Sequence, residues 1–246
     1  MAKNAVAVKK DDFEVSNVMP DFIKKGNRGA ENVGSEDLII PRIELVQALS
    51  PARKKSDPAY IEGADEGMLY NNVTRELYGE SVTVVPVYYT KQYLIWKDRK
   101  TGGGGSNGFR GAFADKAAAE ATVATLGEEG LEITDTAQHF VLVKTAEGWS
   151  EAVISMAKSK MKVSKRWNSL IRMTNADSFS RAYALKSVTE TNARNESYHN
   201  FDVHPLGFVS KEVYERAEQL YETIRAGGAK VSADFDTEEA VVDTEF

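Results

Sequence analysis

Hydrophobic residues recur with the two-residue period of β-strands in a series of short stretches from Leu38 to Val203. β-Branched and aromatic residues, which favour strands, are concentrated in the same stretches. The predicted strands cover residues 38–40, 43–46, 68–70, 77–79, 82–89, 92–96, 138–144, 152–156, 180–189 and 198–203. A turn through Asn71 and Asn72 joins the third and fourth of them into a hairpin.

Three other segments have the composition and spacing of helices. The predicted helices cover residues 115–126, residues 159–173 and the segment between Ser210 and Gly227. The first is rich in alanine and stops at Gly127. The second places Val163 and Trp167 on one face, and the third begins at Ser210, a residue type that caps helix N-termini.

This order of elements is that of an α+β, mainly β protein, and it fits an oligonucleotide-binding (OB) barrel with helices added at both ends. Other α+β sheets have the same order, so both arrangements remain open. Residues 1–35 show no sustained periodicity and are expected to form a flexible, disordered N-terminal arm. The OB-like domain is expected to cover residues 36–228, and a disordered acidic tail residues 229–246.

Composition narrows the classes of function. The chain has 246 residues, 42% of them hydrophobic, no cysteine and three histidines. Disulfides and thiolate metal sites are therefore excluded, and no spacing of a metal site or a catalytic motif is present. We expect no catalytic residues, no metal and no cofactor. No signal peptide or membrane-spanning run is visible, which predicts a cytoplasmic protein, in the host cell if a phage encodes it.

The net charge of −6 matches the six carboxylates of the last sixteen residues, which contain no Lys or Arg. A run of like charge with few hydrophobic residues cannot offset the entropy of ordering, so we expect a mobile tail. Such a tail can compete with nucleic acid for cations or recruit a partner protein. The residues expected to bind partners are Asp234, Asp236, Glu238, Glu239, Asp243, Glu245 and Phe246.

The segment from Ser155 to Ala176, which contains the second predicted helix, has six basic residues and no acidic one, and four of the six fall opposite the apolar face. Ammonium and guanidinium groups in this arrangement can neutralise phosphates and release counterions. The candidate phosphate-binding residues are Lys158, Lys160, Lys162, Lys165, Arg166 and Arg172. A solvated outer face of a packed helix explains the same charges equally well.

Aromatic and basic residues are interleaved between Tyr88 and Arg110. Rings beside cations are the surfaces on which unpaired bases stack. The candidate nucleic-acid-binding residues here are Tyr88, Tyr89, Tyr93, Trp96, Lys97, Arg99, Lys100 and Arg110, with Trp96 and Tyr89 as the first stacking candidates. For any single ring, burial in the interior is the simpler explanation. We expect these rings and the basic helix to line one shared channel.

Several segments resemble those of bacteriophage single-stranded DNA-binding proteins: residues 67–72, 76–79 and 84–89, the strand around Trp96 and the acidic tail. The resemblance implies an OB core that binds single-stranded DNA in replication or recombination. It also implies that the tail recruits replication or recombination proteins. The chain ends in acids and Phe246 but lacks the penultimate proline of bacterial relatives, which puts recruitment of the host's tail-binding partners in doubt.

Two alternatives belong to other classes. A non-enzymatic protein-interaction or virion assembly module would use the β core as a scaffold and the tail for docking. A nuclease would need carboxylates and lysines arranged around a metal, and that pattern is missing. The sequence therefore favours a binding protein over an enzyme.

Overall fold

A strand lies at each segment from residue 43 onward that the sequence predicts as a strand, and helices form at the three segments that it predicts as helices. The structure is a computed structural model, and it describes residues 9–10, 13–14, 40–98, 101 and 108–226. The strands are β1 (Lys9–Lys10), β2 (Phe13–Glu14), β3 (Ile43–Leu45), β4 (Leu69–Asn71), β5 (Leu77–Gly79), β6 (Ser81–Lys97), β7 (Phe109–Phe113), β8 (Leu131–Thr145), β9 (Gly148–Ala157), β10 (Arg181–Thr191) and β11 (Ser197–Phe208). The helices are α1 (Lys116–Leu126), α2 (Met161–Met173) and α3 (Lys211–Arg225), and short 3-10 turns lie at Pro51–Arg53, Lys158–Lys160 and Ser178–Ser180.

The largest unit is a six-stranded antiparallel sheet. Strands β11, β10, β6, β8 and β9 are adjacent in that order, and β7 pairs with the far half of β6. Strands β3, β4 and β5 form a second sheet, while β1 pairs with β2. The strands predicted at 82–89 and 92–96 are one continuous strand, β6. The prediction of a mainly β protein with a few helices is thus confirmed.

Local capping residues fix the ends of two helices. The Asp115 carboxylate accepts a hydrogen bond from the Ala117 N–H at 3.2 Å, and Gly127 ends α1 with a φ of +59°, which suits a residue without Cβ. At the start of α3, Ser210 Oγ accepts a hydrogen bond from the Val213 N–H at 3.4 Å. These starts, and the stop at Gly127, are those that the sequence predicts.

Helices cover both faces of the large sheet. Helix α2 packs on one face, here called the α2 face, through Val163 and Trp167. Helix α3 packs on the opposite face, here called the α3 face, through Ala217 and Leu220. Because successive side chains of a strand point to opposite sides, neighbouring residues of β6 and β8 enter different hydrophobic cores.

A β-bulge interrupts β6 at Val87, which opposes no residue of β8. Strand β10 pairs only with the beginning of β6, so at Pro86 the partner of β6 is β8 alone. Proline lacks an N–H and is found in sheets at such positions. The Val87 carbonyl accepts a hydrogen bond from Ser178 Oγ at 2.9 Å. The extra residue shifts the alternation by one, so Tyr88 points to the α3 face and Tyr89 to the α2 face.

The small sheet lies between the two edges of the large one. The Val153 N–H of β9 donates to the Pro41 carbonyl at 2.8 Å. On the other edge, the Gln47 side chain accepts from the His199 N–H at 3.0 Å and donates to the His199 carbonyl at 2.7 Å. An amide side chain thus makes the two hydrogen bonds that a neighbouring strand would make.

The strand pairing corrects one part of the expected OB-like barrel, its closure. Within the described ranges, pairing stops at β9 on one side and at β11 on the other, so the large sheet is open. The small sheet and side-chain contacts, rather than a continuous ladder, connect these edges. Of the predicted arm at 1–35 only β1 and β2 are described, and the predicted tail at 229–246 lies outside the described residues.

Candidate nucleic-acid interface

The amphipathic pattern of α2 determines which of its side chains reach solvent. Val163 and Trp167 are buried against the sheet, whereas Lys165 and Arg172 are exposed on the outer side. Neither Lys165 nor Arg172 forms an ion pair within the part of the chain that the structure describes. These two cations have their full charge available for an external anion.

Lys162, also on the outer side of α2, is held by a carboxylate of β10. Its Nζ lies 2.8 Å from Glu190 Oε2, which also accepts hydrogen bonds from the Tyr198 hydroxyl at 2.6 Å and the Asn200 amide at 3.0 Å. Burial alone would raise the pKa of Glu190, but the three donors outweigh it and lower that pKa. Glu190 is therefore ionised and neutralises Lys162.

Arg166 is held in the same way by β11. Its guanidinium forms an ion pair with Asp202, and His204 Nε2 lies 2.8 Å from the other oxygen of that carboxylate. A phosphate could bind Lys162 or Arg166 only in competition with Glu190 or Asp202. The ion pairs give these two cations a structural role that the sequence pattern alone did not show.

The two remaining cations of the predicted basic set lie in the 3-10 turn before α2. Lys158 has a φ of +46°, in the left-handed region that side chains other than glycine seldom adopt. The Lys160 ammonium lies 5.3 Å from the centre of the Phe201 ring of β11. This strained turn brings the chain from the end of β9 to the start of α2 and places both lysines at that junction.

A series of adjacent rings connects α2 to Tyr89 of β6. The His139 imidazole of β8 stacks on Trp167 with centroids 4.5 Å apart, and the Tyr89 ring lies 5.1 Å from His139 on the other side. His139 Nε2 is 2.8 Å from Ser164 Oγ. Burial lowers the pKa of His139 to about 3, so its ring is neutral. Tyr89 is 41% exposed and ends the series at the surface.

The four predicted stacking rings divide between the two faces of the sheet. Tyr89 and Tyr93 point to the α2 face, because both follow the bulge at odd positions. Tyr88 packs against Phe140 at 6.1 Å in the core of the α3 face. Trp96 has the same orientation as Tyr88 by alternation and lies 5.2 Å from Phe109. The structure thus brings two of these rings, not four, to the side of the basic helix.

Three basic residues of this region have carboxylate partners. Lys91 forms an ion pair with Asp135, which raises the pKa of the lysine, and its ammonium lies 4.9 Å from the Tyr93 ring. Lys97 and Arg110 both bind Glu128, at 3.2 and 2.9 Å. Arg110 and then Lys97 hold the pKa of Glu128 down to about 2.

Some of the predicted residues cannot be placed. Arg99 and Lys100 lie outside the described residues, as do the tail carboxylates and Phe246. Among the residues that the structure does describe, no cluster of His, Asp or Glu could hold a metal ion. In the same part of the chain, no helix combines the length and apolarity needed to cross a membrane.

Sequence reasoning missed the partners of the basic helix. Glu190 and Asp202 lie 28 and 36 positions beyond the cations that they bind. Asp202 lies in a predicted strand and Glu190 directly follows one, and both strands come after the helix in the chain. The position of an acidic residue in or next to these strands is the signal that could have pointed to them. Nothing in the sequence distinguishes Glu190 and Asp202 from surface acids, because they meet α2 only once the helix has packed on the sheet.

Comparison with protein families places the chain. The family model described as Pam3 phage gp34-like protein matches residues 9–230, which include every strand and helix described above. The chain belongs to this family. Searches of curated proteins and of solved structures gave no match.

The family name indicates a phage protein and names no ligand or activity. The predicted phage origin thus gains support, while single-stranded DNA binding stays a prediction. What this gp34-like protein offers on its α2 face is the exposed ring of Tyr89, the partly buried ring of Tyr93 and two cations without ion pairs, Lys165 and Arg172. Anion binding beside a stacking surface is the chemistry that this arrangement can perform.

Proposed function

We propose that this gp34-like protein is a sequence-tolerant single-stranded DNA-binding protein that acts in phage replication or recombination. The observation that carries the proposal is the position of Tyr89. Its exposed ring lies on the α2 face and is connected through His139 to Trp167 of the basic helix. Stacked bases and neutralised phosphates would therefore lie on the same side of the sheet.

The phosphate contacts are assigned first to Lys165 and Arg172. Lys162 and Arg166 are held by Glu190 and Asp202, so they would contribute only where a phosphate replaces a carboxylate. An exchange of one anion for another gains less free energy than capture by an unpaired cation. Binding is thus expected to depend most on the two cations without ion pairs.

An OB-like relationship is part of the same proposal. The large sheet is open, but the small sheet lies between its edges, as the hydrogen bonds of Pro41 to β9 and of Gln47 to β11 illustrate. Single strands bind across the curved face of OB folds. In this protein the α2 face would be the surface that binds the single strand.

The acidic tail is proposed to recruit replication or recombination proteins and to compete with DNA for the cations of the α2 face. Deleting residues 231–246 should then tighten DNA binding at low salt and abolish partner recruitment. Unchanged affinity at low salt would remove the competition. The body of the proposal would stand without it.

The test is fluorescence anisotropy of labelled oligothymidine at several salt concentrations. The logarithm of affinity should fall with the logarithm of salt, and Lys165→Ala should reduce the slope by about 0.7, the value for one phosphate on a single strand. Lys211→Ala, on the α3 side of the molecule and 88% exposed in its side chain, is the matched control and should leave the slope unchanged. A parent protein that does not bind, or that binds without salt dependence, would refute the proposal.

A second candidate is a protein-interaction or virion assembly module. It is favoured by the division of the rings between two faces and by the ion pairs of Lys162 and Arg166, which are those of a structural scaffold. This candidate predicts no retention of oligothymidine at moderate salt. The same titration therefore separates the two.

A further inference from the structure

The ring of Phe208 is conspicuous at the end of β11. It is 75% exposed, compared with 41% for Tyr89, although a phenyl ring has no polar group that favours contact with water. Phe208 lies on an edge strand, next to Gly207, in the large sheet. A ring in this position is accessible on the side away from its own strand.

A cation lies beside this ring. Arg181 is the residue of β10 directly opposite Phe208, and its guanidinium carbon is 5.9 Å from the ring centre. Arg181 Nη2 donates to the Leu206 carbonyl at 3.4 Å. The hydrogen bond to the Leu206 carbonyl thus helps to hold the guanidinium beside the Phe208 ring.

Part of the hydrogen-bonding capacity at this place is unused. Arg181 Nε and Ser180 Oγ are both buried atoms without a hydrogen-bond partner. Buried donors that lack a partner are uncommon and need an explanation, such as an absent ligand or water. Arg181 therefore has a donor left, and its charge is not neutralised by any ion pair within the described ranges.

The pair lies on the α2 face. Tyr183, two positions after Arg181 in β10, is buried in the core under α2, and its ring lies 5.9 Å from Trp167. The register shifts at this place, because Arg181 opposes Phe208 whereas Tyr183 opposes Pro205, so β11 has one extra residue between the two pairs. Strand β10 keeps its alternation, so Arg181 lies on the same side as Tyr183, with its guanidinium beside the Phe208 ring. Trp167 is thus connected to Tyr89 through His139, and it also lies beside Tyr183, which is two positions from Arg181 on β10.

We propose that Phe208 and Arg181 form a second base-stacking position for single-stranded DNA on the α2 face, on the strand pair β10 and β11, whereas Tyr89 lies on β6. This inference rests on the proposed function and adds to it the extent of the binding surface. A base stacks on the exposed side of Phe208, and the guanidinium contacts the adjacent phosphate. The strand then crosses the outer side of α2, where Lys165 and Arg172 lie exposed.

Anisotropy titrations of labelled oligothymidine with single variants of the full chain test this proposal. Phe208→Ala should weaken binding about tenfold, a value within the range for loss of one stacking ring, while the salt slope stays unchanged. Phe208→Trp should retain the parent affinity, because it keeps an aromatic surface. Arg181→Gln should reduce the salt slope by about 0.7.

The matched control is Leu206→Ala, which removes an apolar side chain that is 50% exposed on the same strand. It should leave affinity unchanged, and circular dichroism of each variant checks that the fold is retained. If the parent binds and Phe208→Ala binds equally well, the second stacking position is refuted while the proposed function stands. If Leu206→Ala loses as much as Phe208→Ala, the surface is an apolar contact and stacking is refuted. A parent that does not bind refutes both proposals.

Discussion

The buried histidine under α2 makes the stability of the protein dependent on pH. In the folded chain, burial lowers the pKa of His139 from its ordinary value of 6.5 to about 3. The ring stacks on Trp167 and bonds to Ser164, so the fold holds it neutral. The unfolded chain takes up a proton at this side chain below pH 6.5 and so binds more protons than the folded chain.

Stability must therefore fall as the pH drops from about 6.5 towards 3, and it is unaffected by this group above that range. For the pKa values of His139, the free energy of unfolding at pH 5 should be about 2 kcal/mol lower than at pH 7. Carboxyl groups with a low pKa, such as Glu128 at about 2, remain ionised at pH 5. The difference in the free energy of unfolding between pH 7 and pH 5 therefore reports on the histidines.

The assay is urea unfolding followed by tryptophan fluorescence at pH 7 and at pH 5. His139→Gln removes the titrating group, so the difference between the two pH values should shrink by about 2 kcal/mol, whatever the variant loses at pH 7 through packing. His204→Gln, at a side chain that is 45% exposed, is the control and should not reduce the difference. A His139→Gln protein with the same pH difference as the parent would show that the buried ring is not what makes stability depend on pH.

Three further predictions concern local contacts. Asp115→Ala removes the cap on the Ala117 N–H and should lower the free energy of unfolding by about 1 kcal/mol in urea titrations. Gly127→Ala forces a Cβ into a φ of +59° and should lower that free energy by about 1 kcal/mol, and an unchanged value would refute the C-cap argument. Glu190→Gln removes the charge that holds Lys162, so it should strengthen oligothymidine binding several-fold at low salt, as measured by anisotropy; weaker or equal binding would contradict the competition between carboxylate and phosphate.

Much of the secondary structure follows from the sequence because its causes are local. Asp115, Gly127 and Ser210 act within four residues of themselves, and the apolar spacing of α2 correctly assigns Val163 and Trp167 to the interior. Each of these signals depends on backbone geometry that neighbouring residues share. For this reason the helices match their predicted positions to within one or two residues.

The candidate site was less predictable because its geometry depends on contacts between distant parts of the chain. Whether Lys162 is available depends on Glu190 of β10, and the packing of α2 on the sheet brings the two side chains together. Alternation predicts that adjacent tyrosines point to opposite sides, but not which of Tyr88 and Tyr89 faces the basic helix. The bulge at Val87 decides this, and a proline-containing β segment does not reveal it without the partner strands.

Val87 also divides β6 into two halves whose inward and outward positions are shifted by one residue relative to each other. Removing Val87 would join the halves into a regular ladder without turning Tyr89 over, because Pro86 and Tyr88 already oppose consecutive residues of β8. A deletion anywhere further along β6 has one of two effects. Either every side chain between the deletion and the bulge moves to the opposite face of the sheet, or the pairing with β8 is broken. A change of chain length at Val87 thus preserves the pairing of β6 with β8, although it removes a side chain that is buried in the core of the α3 face.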